Sequence, residues 1–251
     1  MKWLIAALLL ASPTALAEDE AQRVAFSEGR YHEAVLLSAT MPSADNLAFS
    51  ARSLLAEAVS APDYAPSPHL LDEAEAKARE AIALDPNHVE ARLQLAIALS
   101  LKARPLSTRE AMRTGYGEEA KQLAEGALRD DPNNKYAHGF LAVWHLEVRR
   151  RGGAIGGSIM GASVRKARAH YQAAIQSAQD DASIHWQYAR ALTALNAKRY
   201  RDEIQTVLSI ALDCQTETQL EGVMKQRAEL LGAKLDQESW KAAQKVAAQM
   251  L

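Results

Sequence analysis

The segment from Asp72 to Pro86, DEAEAKAREAIALDP, is answered 46 residues later by Glu118 to Pro132, EEAKQLAEGALRDDP, with its small residues in register. Ala74, Ala78, Ala81 and Pro86 fall on Ala120, Ala124, Ala127 and Pro132. A third copy runs through Ala167, Tyr171 and Ala174 to Gln179, where proline is absent. A supersecondary unit repeated at this period cannot bury its apolar face alone and must stack on its neighbours, so the repeat predicts an all-α solenoid. Such an array is a scaffold, and its architecture does not by itself choose an activity.

Each copy reads as two helices. The first begins just after an Asp-Pro-Asn turn and the second carries the alanines, so Pro86 and Pro132 punctuate helices rather than interrupt them. In the first helices Ala91, Leu95 and Leu99 share a face, as do Ala137, Leu141 and Val148, which is the apolar stripe of an amphipathic helix. The pattern resembles the tetratricopeptide repeat. Leu95-Ala96 and Leu141-Ala142 stand where that family has a Leu-Gly pair, and Gly29-Arg-Tyr-His-Glu-Ala34 is similar to the opening of its second helix. A more degenerate copy runs from Ile184 to Leu192 and on to Ile204, Leu208 and Ala211. The resemblance covers about residues 21–214 as four to five units and implies a right-handed superhelix. Residues 217–231 and 237–250 read as two further amphipathic helices capping the last repeat, so 18–251 is expected to be one helical-repeat domain.

The spacing departs from the family. Between the two helices of a unit the chain is roughly a dozen residues longer than a repeat of about 34 residues allows. The extra segments are Ser60 to Leu70, Lys102 to Tyr116 and Arg149 to Ser163. Insertions at equivalent points of successive repeats emerge on one edge of a solenoid, and that edge is often where ligands bind.

The N-terminus carries one lysine and then an apolar run too short to span a bilayer, closed by Ala15-Leu16-Ala17 before Glu18. This predicts a signal peptide over residues 1–17, cleavage after Ala17 and a periplasmic or secreted protein with no transmembrane segment in its mature chain. Cys214 is the single cysteine, so no intrachain disulfide can form. With 29 basic against 31 acidic residues in the chain, neither nucleic acid nor a membrane is implied as a partner by net charge.

The segment Arg149-Arg-Arg-Gly-Gly-Ala-Ile-Gly-Gly-Ser-Ile-Met-Gly-Ala-Ser163, followed by Arg165, admits three readings. It is a connector with glycines for turns. Or Gly153, Gly157 and Gly161 form a side-chain-free groove for a neighbouring helix. Or Ile155, Ile159 and Met160, flanked by Arg149, Arg150, Arg151 and Arg165, form a wall for a molecule with an apolar body and an anionic head. No phosphate-loop spacing occurs, and Ser158 lacks the glycine two residues on that a nucleophile elbow needs. His138 and His145, seven apart, are expected to line the concave surface with Tyr136 and Trp144 rather than to bind metal, since no further ligand stands at the required spacing. No catalytic grouping and no cofactor motif is present, so an enzyme is not expected.

The run from Phe140 to Val148, the arginine and glycine-rich insert, and Gly161 to Tyr171 together resemble the regulator of microtubule dynamics family and bacterial exported repeat proteins. The repeat component that accompanies periplasmic solute-binding transporters is a further relative in kind. The resemblance implies contacts with proteins or with lipidic and other hydrophobic ligands, and it names no catalytic residue. Two functions follow as expectations. The first is a non-enzymatic exported scaffold holding a protein or peptide partner in an envelope assembly or transport system. The alternative is a carrier or sensor of a hydrophobic small molecule such as a lipid, with or without an anionic group. An open groove favours the first, and inserts folded over an apolar cavity favour the second.

Overall fold

The computed structural model describes residues 13–40 and 43–251. Among the described residues there are thirteen helices and no strands: α1 (Pro13–Ser27), α2 (Tyr31–Ser38), α3 (Ala44–Ser60), α4 (Pro68–Leu84), α5 (Val89–Ala103), α6 (Thr108–Thr114), α7 (Tyr116–Asp130), α8 (Lys135–Ile159), α9 (Val164–Ile175), α10 (Ala182–Asn196), α11 (Arg201–Asp213), α12 (Gln219–Gln237) and α13 (Trp240–Gln249). Residues 1–12 of the expected signal peptide lie outside the described residues, and the Ala17–Glu18 bond falls inside α1. No described helix is long and apolar enough to cross a membrane.

The helices pair as α1/α2, α3/α4, α5/α7, α8/α9 and α10/α11, and successive pairs stack into an α-solenoid. The repeated alanines are its joints. Ala74, Ala78, Ala81, Ala120, Ala124, Ala127, Ala167 and Ala174 are all completely buried, because a methyl group is the largest side chain that lets the paired helices approach so closely. In the third copy Tyr171 takes the place of an alanine. Its ring lies flat on Tyr188 of α10 at 4.0 Å, and its hydroxyl shares a 2.7 Å hydrogen bond with His185. Each first helix from α3 onward starts on a side chain that accepts a backbone N–H: Ser43, His88, Asn134 and Asp181.

The last two helices do more than cap the array. α12 packs on α10 and α11 and also returns to the first repeats. There Leu220 joins the cluster of Phe26 and Tyr31, and the Tyr31 hydroxyl donates to Gln219 at 3.2 Å. Gly29, at φ 78°, leaves room for that glutamine, since a Cβ there would meet it at 3.0 Å. Arg227 donates to the Ala61 carbonyl at 3.0 Å and stacks over the Tyr64 ring. The two ends of the superhelix are thereby tied together across its concave side.

The insertions differ from one another. Residues 61–67 are a plain connection, whereas the second insert folds as α6, which carries a capping box between Ser107 and Glu110. The third is helical instead of a loop. α8 continues through it, broken at Gly153 (φ 61°, ψ −152°), a conformation essentially reserved for glycine. Beyond the kink the helix ends in a Schellman motif: Gly161, at φ 65°, donates to Ser158, and Ala162 donates to Gly157 at 2.7 Å. A Cβ on Gly157 would lie 2.4 Å from Cδ of Arg149. The Gly153, Gly157, Gly161 stripe is therefore not a groove for another helix, since Gly157 is filled by this chain's own arginine and the other two make turns.

Candidate functional site

The first helices of the pairs present a second face, away from their partners, toward the axis of the superhelix. Together they line a cavity of about 570 Å³. Leu55 and Val59 of α3, Leu93 and Ile97 of α5, Phe140 and Val143 of α8 and Ile184 of α10 make its apolar wall. Val148, expected on the stripe against the second helix, lines the cavity too, because α8 outruns its partner here. Counted from the caps His88, Asn134 and Asp181, Ile97, Val143 and Arg190 hold equivalent places. The row thus changes from aliphatic to cationic as the repeats advance.

At that cationic end four arginines surround one carboxylate. Arg190, 1 % exposed, contacts Glu147 at 3.1 Å, and Arg150 contacts it at 2.8 Å. Burial alone would raise the Glu147 carboxyl, but Arg190, Arg150 and Arg104 outweigh it and hold the group at about 2. Arg104 is pulled down to about 9 by its own burial and then by Arg190, with Arg150 and Arg151 adding to the repulsion. One carboxylate among four guanidinium groups leaves the locality positive.

Backbone carbonyls of the C-terminal segment accept from two of these four arginines. Arg104 donates to Met250 at 2.8 Å and to Ala248 at 3.2 Å, and Arg190 donates to Ala247 at 3.3 Å. Arg227 and the Trp186 indole both donate to the Leu251 carbonyl, at 2.8 and 3.0 Å. The exposed carbonyls at the end of a helix carry partial negative charge, so arginines around the last turn of α13 are electrostatically matched. Met250 packs into the core of α10 to α12 and Leu251 into that of α3 and α5.

The sequence-predicted residues divide. Trp144, Arg151, Ile159 and Met160 border the cavity. Trp144 is held by a 2.8 Å bond from its indole to the Gly117 carbonyl. Arg151 donates to Ala103 at 3.0 Å and also to Leu106, which ties the third insert to the start of the second. Met112 of α6 and Ile159 stand on opposite inserts over the same opening. Arg149, Arg150, Ile155 and Arg165 do not line the cavity: Arg149 folds over Gly157 and donates to Gly153, Arg150 pairs with Glu147, and Ile155 and Arg165 are exposed.

The histidines do not line the concave surface as expected. His138 and His145 project from α8 toward α9. His138 shares a 2.9 Å Nδ1–Nδ1 hydrogen bond with His170, and its Nε2 meets the Pro132 carbonyl at 3.0 Å. His145 is buried against Trp144 and His170. His185 repeats the device one unit on, with Nε2 at 2.9 Å from Gln179 and Nδ1 on Tyr171. The recurrence of histidine at the same place after successive caps was the available signal for a role in holding the preceding turn. Burial first, then His170, Lys166 and Lys121, hold His145 at about 4; burial, then His138 and Lys166, do the same for His170. Among the described residues no cluster suits a metal ion.

Sequence reasoning missed Arg104, Arg190 and Arg227. Only Arg190 carried a signal, since it interrupts the apolar run Ala189 to Leu192.

Comparison with solved structures finds a thermophilic tetratricopeptide repeat protein of Thermus thermophilus, with a TM-score of 0.61 at 19% identity over 86% of this chain and 98% of that one. This likeness establishes the tetratricopeptide-like fold. No curated protein sequence matches the chain. The family model described as regulator of microtubule dynamics protein 1-3 matches residues 44–236, from the start of α3 almost to the end of α12. The chain belongs to the regulator of microtubule dynamics protein 1-3 family.

Proposed function

We propose that the chain is a non-enzymatic binding protein whose concave cavity holds an elongated, largely apolar ligand with an anionic end. The observation that carries this reading is the folding of two inserts, α6 and the kinked end of α8, over an apolar cavity with arginines gathered at one end. Apolar walls with a few convergent polar groups are the usual form of a small-molecule site. An anionic head beside Arg104 and Arg190 would complete the charge that Glu147 leaves unbalanced. An exported, periplasmic or secreted location belongs to the same proposal and rests on the sequence of residues 1–17.

Native mass spectrometry of the intact protein tests the ligand reading. A retained amphiphile, lost on Val143→Lys and Ile97→Asp, is the expected result, because either change puts a charge on the apolar wall. A wild-type protein that carries nothing, and fails to take up an anionic naphthalene sulfonate dye, would overturn it.

A second reading has its own observation. The cavity wall already includes a piece of polypeptide, since Leu251 lines it and the carbonyls of α13 and of the two residues after it accept from Arg104, Arg190 and Arg227. A peptide or protein partner docking beside that segment in an exported assembly would use the same surface. Loss of a co-purifying polypeptide, rather than of an amphiphile, on Val143→Lys would select this reading.

A further inference from the structure

The three most exposed large apolar side chains among the described residues are Ile155 (78%), Ile159 (72%) and Met112 (69%). All three sit on the inserts. Ile155 and Ile159 are one helical turn apart beyond the Gly153 kink, so they share a face of that short segment. Met112 and Ile159 border the cavity from its two sides, which places the patch at the cavity mouth.

The surroundings are basic. From Arg149 to Arg168 the chain has six basic residues and no acidic one. Only Arg150 and Arg168 are paired with carboxylates, those of Glu147 and Glu203. Arg149, Arg151 and Lys166 donate to backbone carbonyls, which leaves their charge in place, and Arg165 is exposed. On α6 Arg109 and Arg113 are exposed, flanking Met112, against a single exposed carboxylate, Glu110, which is tied to the Ser107 cap.

We propose that these two insert tips dock on an anionic lipid bilayer, with Ile155, Ile159 and Met112 entering the headgroup boundary and the surrounding arginines meeting lipid phosphates. Apolar side chains projecting from a basic rim are what an interfacial contact with anionic lipid requires. A second copy of the chain fits worse, because a two-fold contact would set this basic patch against itself. The proposal goes beyond the ligand reading, since a cavity holding a peptide could rest on the same surface. Where the ligand is apolar, it would pass between cavity and bilayer without crossing water.

Co-sedimentation of the full chain with phosphatidylglycerol–phosphatidylcholine vesicles, compared with phosphatidylcholine alone, tests it. Binding to the anionic vesicles only is expected, weakening as salt is raised. Ile155→Ser should lower the vesicle affinity about tenfold, and Arg109→Gln with Arg113→Gln by roughly tenfold or more. Ile155 is outside the cavity, so its substitution leaves ligand retention unchanged and the two readings fail separately. Ile155→Trp supplies a second readout: its emission should shift to the blue on anionic vesicles. An unshifted tryptophan with no sedimentation of the wild type overturns the proposal. So does self-association in analytical ultracentrifugation that depends on Ile155 in the absence of vesicle binding, which would make the patch a contact between copies.

Discussion

The cavity is closed in two different ways. At its cationic end Leu251 lines it, Met250 and Leu251 join two cores, and Arg104, Arg190 and Arg227 each find a carbonyl of the C-terminal segment. At its mouth the inserts cover it with residues that join no core and leave Ile155, Ile159 and Met112 in water. Burial on that scale stabilises a fold, whereas exposed isoleucine contributes nothing to it. The first closure is part of the structure that holds the solenoid's ends together, and the second is shaped for something outside the chain.

Removing the C-terminal segment from Trp240 to Leu251 should therefore have the largest effect. The deletion strips apolar cover from Trp186 and leaves buried donors of Arg104, Arg190, Arg227 and Trp186 without partners. The expected loss is on the order of 5 kcal/mol, read from urea denaturation. A truncated chain as stable as the parent, and quicker to take up an anionic dye, would break the comparison and make α13 a displaceable occupant of the cavity.

Ala124→Leu comes next. Ala124 is completely buried where α7 meets α5, so the larger side chain should cost about 1 to 3 kcal/mol. Ile155→Ser in the insert should leave the melting temperature where it is. Similar losses for both would mean that the inserts, too, are part of the core.

These small positions were legible in the sequence because helix contact in a solenoid repeats with the unit, and alanines in register across 46 residues report it directly. The kinked helix was not legible. Gly152 to Gly161 reads as a connector on propensity, but one glycine provides the reversal, one makes room for Arg149 and one ends the helix, so the residues between them stay helical. The position of α13 could not be read either. An amphipathic pattern says that a helix has a face to bury, and it does not say which surface the face will cover. The same limit hid Arg104, whose carbonyl partners lie 144 to 146 residues away, and Arg227, which reaches the Ala61 carbonyl 166 residues away.

Acid should separate the joints from the cavity. His145 and His170 titrate near 4 in the fold against 6.5 when free, so the unfolded chain binds more protons between those values. Their contribution is fully present above pH 6.5 and is lost as pH falls toward about 4. Glu147, depressed to about 2 from 4.5, works in a lower window, losing its contribution only as pH falls from 4.5 toward 2. His170→Asn should flatten the upper part of a stability-against-pH curve and leave the lower part alone. A curve unchanged by that substitution would show that the α8–α9 joint does not resist protonation.

A small effect on stability and a large one on function should come from the same change. Replacing Gly152 to Gly161 with a brief flexible loop removes the carbonyls that Arg149 and Lys166 use, but it keeps Arg151 and its tie to Ala103. Loop-closure entropy varies slowly with length, so the loss should stay below about 1 kcal/mol and the circular dichroism should remain helical. Ligand retention in native mass spectrometry should nevertheless fall, because Ile159 and Met160 leave one side of the cavity mouth. Changing Arg149, Arg150 and Arg151 together to glutamine sharpens the result. Arg150 and Arg151 lie beside Arg104 and Glu147 at the cationic end, so selective loss of anionic ligands would assign head-group recognition there and apolar contact to the insert. Retention unaltered by either variant would leave the C-terminal segment as the single device closing the cavity, and would move binding onto the concave helices alone.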